Sequence, residues 1–190
     1  MKISTISTQN VDLGSTQTIT GAKTAQNLTV TTNALNLSVG QITFPVSQNA
    51  SADANTLDDY EEGTFTPTVI GTSTAGSDTY GANNQVGIYQ KIGNRVFFDI
   101  WLSWSAHTGT GNLRFDGLPF TVSTVTNYYA AVSISYFQAI TLTAGYIPGC
   151  NTRGNSTLID ITQYPTGGGS HIDVPIDTAG SIMLSGSYLI

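Results

Sequence analysis

The sequence predicts an all-β protein, a thin N-terminal β-stalk followed by an antiparallel β-sandwich head, and three observations carry that expectation. Ser and Thr supply 47 of the 190 residues, Gly another 20, and only 9% are charged. Helices lean on long unbranched side chains, whereas Thr, Val, Ile and aromatic residues favour strands, with Gly and Asn for the turns. Apolar residues recur with a period of two, and no window shows the helical period. A chain of this length makes one domain, or one domain plus an arm.

The first elements are sparse. Residues 14–44 read GSTQTITGAKTAQNLTVTTNALNLSVGQITF. Ile19, Leu28, Val30, Leu35, Leu37, Val39, Ile42 and Phe44 stand singly or in alternating pairs among Thr, Asn, Gln and Gly. Alternation of this kind marks short strands. Yet no stretch is apolar enough to build its own core, and a lone chain would leave strand edges open. The segment is therefore expected to order against identical neighbours around a shared axis, those eight side chains forming the packing; a flexible linker is the alternative. Before it, residues 1–13 carry Ile3, Ile6, Val11 and Leu13 among Ser and Thr. Such an arm can add a strand to a partner and serve as an anchor.

Residues 45–63, PVSQNASADANTLDDYEEG, form a junction. Asp58, Asp59, Glu61 and Glu62 make a dense acidic cluster, but a calcium loop needs oxygen ligands alternating with a glycine turn, and that pattern is missing. A solvated acidic turn is expected. The division is thus an arm at 1–13, a stalk and linker at 14–56, and a head at 57–190.

The head is dense in strands. Val96, Phe98, Ile100, Leu102 and Trp104 alternate with Phe97, Asp99, Trp101 and Ser103; Tyr128, Ala130, Val132, Ile134 and Tyr136 alternate with Tyr129, Ala131, Ser133 and Ser135. Shorter runs fall at 65–70, 86–92, 113–120, 158–164, 172–176 and 182–190, separated by STAGSD, HTGTGN, IPGCNTRGN and PTGGGS, which read as turns. Some eight strands at this spacing argue for a two-sheet antiparallel sandwich of jelly-roll type. Pro175 inside a short strand places that strand at an edge.

Charge and cysteine usage narrow the function. Twelve acids face six bases, a net charge of −6. Lys2, Lys23, Lys91, Arg95, Arg114 and Arg153 are scattered, which argues against nucleic acid as a partner. Cys150 has no second cysteine to pair with. Residues 1–10 lack the apolar run of a signal peptide, and no run approaches the roughly 18 residues that cross a bilayer, so membrane insertion is not expected.

No constellation of catalytic or metal-ligating residues stands out, and no cofactor is expected. His107 and His171 fall in separate turns without a Cys or His at ligand spacing, Cys150 reads as an idle thiol, and GGGS at 167–170 lacks the ending of a phosphate loop. Asn-x-Ser/Thr at Asn27, Asn36, Asn49 and Asn155 is what chance gives in a Ser/Thr-rich chain. Asp99, Asp116, Asp160, Asp173 and Asp177 are the carboxylates from which a glycosidase would need a pair about 5–9 Å apart, and spacing selects none. Two aromatic residues lie out of phase with the apolar faces of their strands, Trp101 and Tyr129. Each would either stack on a ligand or pack against a neighbouring subunit, and the subunit contact is favoured.

At this point the residues show a resemblance. QTITGAKT at 17–24 is similar to a unit that recurs in bacteriophage tail fibres, with Ala25 where that unit has Phe. NTLDDYEEGTFTPTV at 55–69 resembles the opening of a C-terminal domain of phage virion proteins, and GIYQKIGNRVFFDIWLSW at 87–104, GNLRFDGLPFTVS at 111–123 and SIMLSGSYLI at 181–190 follow in the same order. The resemblance implies a non-enzymatic structural protein of the virion, homotrimeric, made in the host cytoplasm and assembled into the particle. Its partners would be its own copies, other tail or capsid proteins, and a glycan or protein of the host surface. A short tail fibre or tail-tip protein is the expectation. The alternatives are a capsid decoration protein anchored by its N-terminal arm and a polysaccharide-cleaving tailspike-like enzyme.

Overall fold

The structure, a computed structural model, describes residues 40–53 and 55–190. Ile3, Ile6, Val11, Leu13, Ile19, Leu28, Val30, Leu35, Leu37 and Val39 lie outside the described residues. Of the expected stalk-packing set, Ile42 is exposed and Phe44 half-buried. The compact unit considered below spans Thr43–Ile190.

Ten strands build it: β1 (Tyr60–Phe65), β2 (Thr68–Gly71), β3 (Asp78–Ile92), β4 (Arg95–His107), β5 (Leu113–Asp116), β6 (Val132–Gln138), β7 (Tyr146–Thr152), β8 (Ile159–Pro165), β9 (Ile172–Asp173) and β10 (Gly180–Leu189). They form two antiparallel sheets and, among the described residues, no helix. The front sheet has the order β1-β3-β4-β10-β6, and the back sheet β2-β5-β8-β7, with β9 paired to β8.

The period-two pattern places the core between the sheets. Val96, Phe98, Ile100, Leu102 and Trp104 of β4, with Ile182, Leu184 and Tyr188 of β10, point inward from the front sheet. From the back sheet come Val69, Leu113, Phe115, Ile159 and Ile161, and all belong to one buried cluster. Trp104 meets Phe115 edge-on across the layers, ring centroids 6.3 Å apart. Burying each such side chain is worth about 1.5–3 kcal/mol, which offsets the entropy of ordering a Gly- and Thr-rich chain.

Several expectations are corrected by local chemistry. The run at 65–70 is two strands in different sheets, because Pro67 has no amide to continue a ladder and its carbonyl accepts from Gln85 Nε2 at 3.0 Å. IPGCNTRGN, read as a turn, contains most of β7. Pro148 is tolerated there because β7 ends the strand order of the back sheet, pairing along its length with β8. The run at 113–120 stops at Asp116, where Gly117 turns the chain with a φ of 95°. Beyond it, Leu118 and Val122 stay buried in the core without a ladder. Of the run at 172–176 only Ile172–Asp173 is strand, and Pro175 forms an isolated bridge to Asn112.

Two corrections bear on function. The acidic cluster is not a solvated turn. Asp59 is 4% exposed and ion-paired with Lys91, itself buried with its ammonium 5.6 Å from the centre of the Phe120 ring. Glu61 accepts from the Tyr89 hydroxyl and Asp58 from the Ser51 amide at 2.8 Å. The cluster pins the chain entering the head to the front sheet. The second correction concerns β6, whose alternation breaks at Ser135. Ile134 stands opposite Leu184 but Tyr136 opposite Met183, a bulge that carries Tyr136 from the core face to the outer face.

Candidate functional site

The outer faces of the two sheets differ in chemistry, and each holds one of the two aromatic residues singled out in the sequence. On the front sheet the register lines up Val86, Trp101, Met183 and Tyr136 in one cross-strand row. The next rows hold Thr64, Ile88, Asp99 and Ser185, then Glu62, Gln90, Phe97 and Ser187. Ile88 is 48% exposed and Phe97 45%, and Val86, Met183 and Tyr136 are comparably open. Trp101 lies among them, its ring centroid 6.0 Å from that of Tyr136 and its Nε1 donating to Asn84 at 3.4 Å. Half of these twelve positions are apolar, and the rest are Thr64, Gln90, Ser185, Ser187 and the carboxylates Asp99 and Glu62.

The outer face of the back sheet is polar and concave. A groove of about 790 Å³ runs over β7, β8 and β9 and is walled by the segment 125–131. Its floor follows from the alternation of β8. Ile159, Ile161 and Gln163 point into the core, so Asp160, Thr162 and Tyr164 point outward. Opposite Thr162 on β7 is Gly149; a Cβ there would lie 2.4 Å from the Tyr164 ring, so this glycine lets the ring lie flat over the neighbouring strand. On the other side Asp173 of β9 faces Thr162, and the His171 ring leans against Tyr164, tilted by 46° with centroids 5.5 Å apart.

Buried polar contacts hold these groups in place. Gln163 is fully buried and satisfied at both ends, accepting from the Thr143 amide at 2.7 Å and donating to the Asp173 carbonyl at 3.2 Å. That bond fixes β9 against β8. Asp160 accepts from Arg114 Nε at 2.6 Å and from Arg153 Nε and Nη2 at 3.0–3.1 Å. The wall is tied by paired bonds between Ala130 and Thr152, by the isolated bridge from Ala131 to Asn151, and by the Leu189 amide donating to the Tyr128 hydroxyl at 2.8 Å. Asn127 turns the chain with a φ of 62°. Tyr129 follows in a segment that precedes β6, 65% exposed along the groove.

The remaining candidates divide between this groove and the rest of the fold. His107 ends β4 inside the fold, its Nδ1 2.6 Å from Asp78 Oδ1, and is not in a turn. Cys150 is packed against the core, and burial pushes its thiol far above the range in which a thiolate attacks. Of the five carboxylates, Asp160 and Asp173 share the groove. Asp99 sits on the front face, Asp116 accepts from Thr157 at 2.6 Å, and Asp177 accepts from the Thr141 amide at 2.6 Å. Among the described residues no three His, Cys, Asp or Glu side chains converge on a metal position. Trp101 and Tyr129 are therefore not one site. Tyr164 and Asn127 were not singled out in the sequence, although the outward phase of Tyr164 on its strand was a signal for it; His171 was weighed there only as a metal or catalytic residue, and it lines the groove instead.

No protein-family model matches the chain, and no curated protein matches it. Among solved structures it is similar to the Dettilon tailspike protein (gp208), with a TM-score of 0.55 and 23% identity. The match covers 68% of this chain and 23% of the tailspike chain, so the likeness is to a part of a larger protein. What the comparison establishes is a shared fold: this all-β domain is built like a portion of a bacteriophage tailspike.

Proposed function

We propose that the protein is a non-enzymatic structural subunit of a bacteriophage tail, a short fibre or tail-tip protein that assembles as a homotrimer and presents its head to the host surface. The observation that carries the reading is the cluster of exposed apolar side chains on the outer face of the front sheet. Exposed apolar clusters mark contact surfaces, and among the described residues Ile88, Phe97, Tyr136 and Met183 stay 39–48% exposed around the half-buried Trp101. Further copies of the same chain are the occupant that fits. Residues 14–44 independently call for identical neighbours, and a closed ring of copies buries the same face on every subunit. The likeness to a tailspike supports the phage-tail setting.

The groove supports binding over cleavage. A glycosidase needs one carboxyl free to protonate the leaving group and another free to attack or activate water. Both oxygens of Asp160 are taken by arginines, and Asp173 Oδ2 accepts from Asn112 at 2.7 Å. Capsid decoration is the competing location. Light scattering on the purified full-length chain, together with antibody labelling of intact particles, tests the reading. A trimer labelled on the tail is expected. A monodisperse monomer, or label spread over the capsid, would contradict it.

A further inference from the structure

We infer that the groove on the back sheet is a saccharide-binding site for a neutral glycan, with Tyr129 and Tyr164 as stacking platforms and Asn127, Asn151 and Asp173 as hydroxyl partners. The inference deepens the reading of this head as the host-facing part and takes its biological meaning from it.

The shape comes first. A concavity of about 790 Å³ lies within the range of small-ligand sites. Its aromatic surface is arranged for a flat ligand. The Tyr164 ring lies over Gly149, backed by His171, and Tyr129 rises from the wall, 65% exposed. Sugar rings present a face of C–H groups that packs on an aromatic ring, and an edge of hydroxyls that needs donors and acceptors.

The polar supply matches that edge. Asn151 Nδ2 donates to its neighbour's carbonyl at 3.1 Å, and no hydrogen bond among the described residues engages its Oδ1. Asp173 uses Oδ2 for Asn112, which likewise leaves Oδ1 open. The amide of Asn127 and the hydroxyls of Tyr129 and Tyr164 make no hydrogen bond within the described residues. These groups line one groove, held by Gln163 and by the bonds between Ala130 and Thr152, so little ordering is required on binding.

Charge selects the ligand class. Asp160 and Asp173 lie in the groove, and the two nearby cations, Arg114 and Arg153, are both held by Asp160. Two acids are thus balanced by two arginines, so desolvating the anionic groups of a sulfated, sialylated or phosphate-rich chain finds no excess of cations to offset it. The same argument disfavours a nucleic-acid strand, which would also stack on tyrosines but needs cations along its backbone. A neutral oligosaccharide suffers no such penalty.

The test uses the full-length protein on an array of immobilised neutral and anionic oligosaccharides and microbial polysaccharides. Retention of neutral glycans is expected. Tyr129→Ala and Tyr164→Ala should each weaken it about tenfold, Asp173→Asn should weaken it with no change of shape, and Tyr60→Ala, an exposed tyrosine elsewhere, should leave it unchanged. Thermal melts and light scattering of the same variants should match the parent. Retention of anionic glycans alone, no glycan retained, unchanged binding by the tyrosine and Asp173 variants, or a changed number of subunits per particle in Tyr129→Ala would each overturn the inference. The last result would make the groove a contact between copies. The outcome is separable from the tail assignment, because a protein that binds sugars yet labels the capsid would refute the location and keep the site.

Discussion

The two outer faces of this sandwich are made by the same rule and come out opposite in character. In both sheets, every second residue of a central strand points away from the core. On β4 and β10 those positions hold Phe97, Asp99, Trp101, Met183 and Ser185; on β8 they hold Asp160, Thr162 and Tyr164. The front face is broad, its exposed aromatic and aliphatic side chains interleaved with Asp99, Ser185 and Glu62. The back face is a groove whose aromatic rings are rimmed by amides and carboxylates. An exposed aromatic residue therefore does not announce its role. Trp101 sits where an apolar partner surface would cover it, and Tyr129 where a polar, solvent-reached ligand would.

The largest effect that would break this contrast is on assembly. Ile88→Lys combined with Phe97→Lys places two charges on the front face and should convert the proposed trimer to a monomer at micromolar concentration, read by light scattering. Because both side chains are about half exposed in the single chain, the monomer should still melt cooperatively. A smaller effect is expected behind the groove. Asp160→Ala leaves Arg114 without its partner in a half-buried position and should cost about 1–2 kcal/mol in chemical denaturation, while the oligomeric mass stays unchanged.

Alkaline pH gives a gentler probe of the front sheet. The Glu61 carboxylate beside Tyr89, with partial burial, pushes that phenol up to about 12. Tyr80 and Tyr188 are raised further by burial. A raised phenol binds its proton more tightly in the folded state, so its stabilising share is complete below pH 10. It declines as pH rises from 10 through about 12. Denaturation midpoints should therefore hold to pH 9 and fall above pH 10, and absorbance at 295 nm should show a delayed class of tyrosines. The smallest effect belongs to Tyr129→Ala, which should shift stability by less than about 0.5 kcal/mol, since the ring is mostly in solvent.

Most of the fold was legible because alternation and burial agree. The β4 pattern from Val96 to Trp104 reads directly as one buried face, whereas Tyr129, read as lying out of phase on a strand, sits in the segment before β6. What the sequence hid has physical causes. Pro148 and Gly149 are turn residues by composition, yet an edge strand admits a proline and a large ring on the next strand requires the glycine. The bulge at Ser135 moved Tyr136 beside Trp101, which a strict period of two cannot foresee. Asp59 and Lys91 are 32 residues apart, so the pairing that buries Asp59 is a product of the β1–β3 register and not of local pattern. The groove itself draws on the segment 125–131, β7, β8 and β9, elements far apart in the sequence, so no local pattern shows that Tyr129 and Tyr164 line one surface.

The contrast between the faces is tested most directly by hydroxyl-radical footprinting of the intact full-length protein, with the Ile88→Lys, Phe97→Lys variant as the dissociated reference. Met183 and Trp101 should be protected in the parent and become reactive in the variant, while Tyr129 and Tyr164 should react at similar rates in both. If Met183 and Trp101 are oxidised in the parent as fast as in the variant, the front sheet is not where copies of this chain meet.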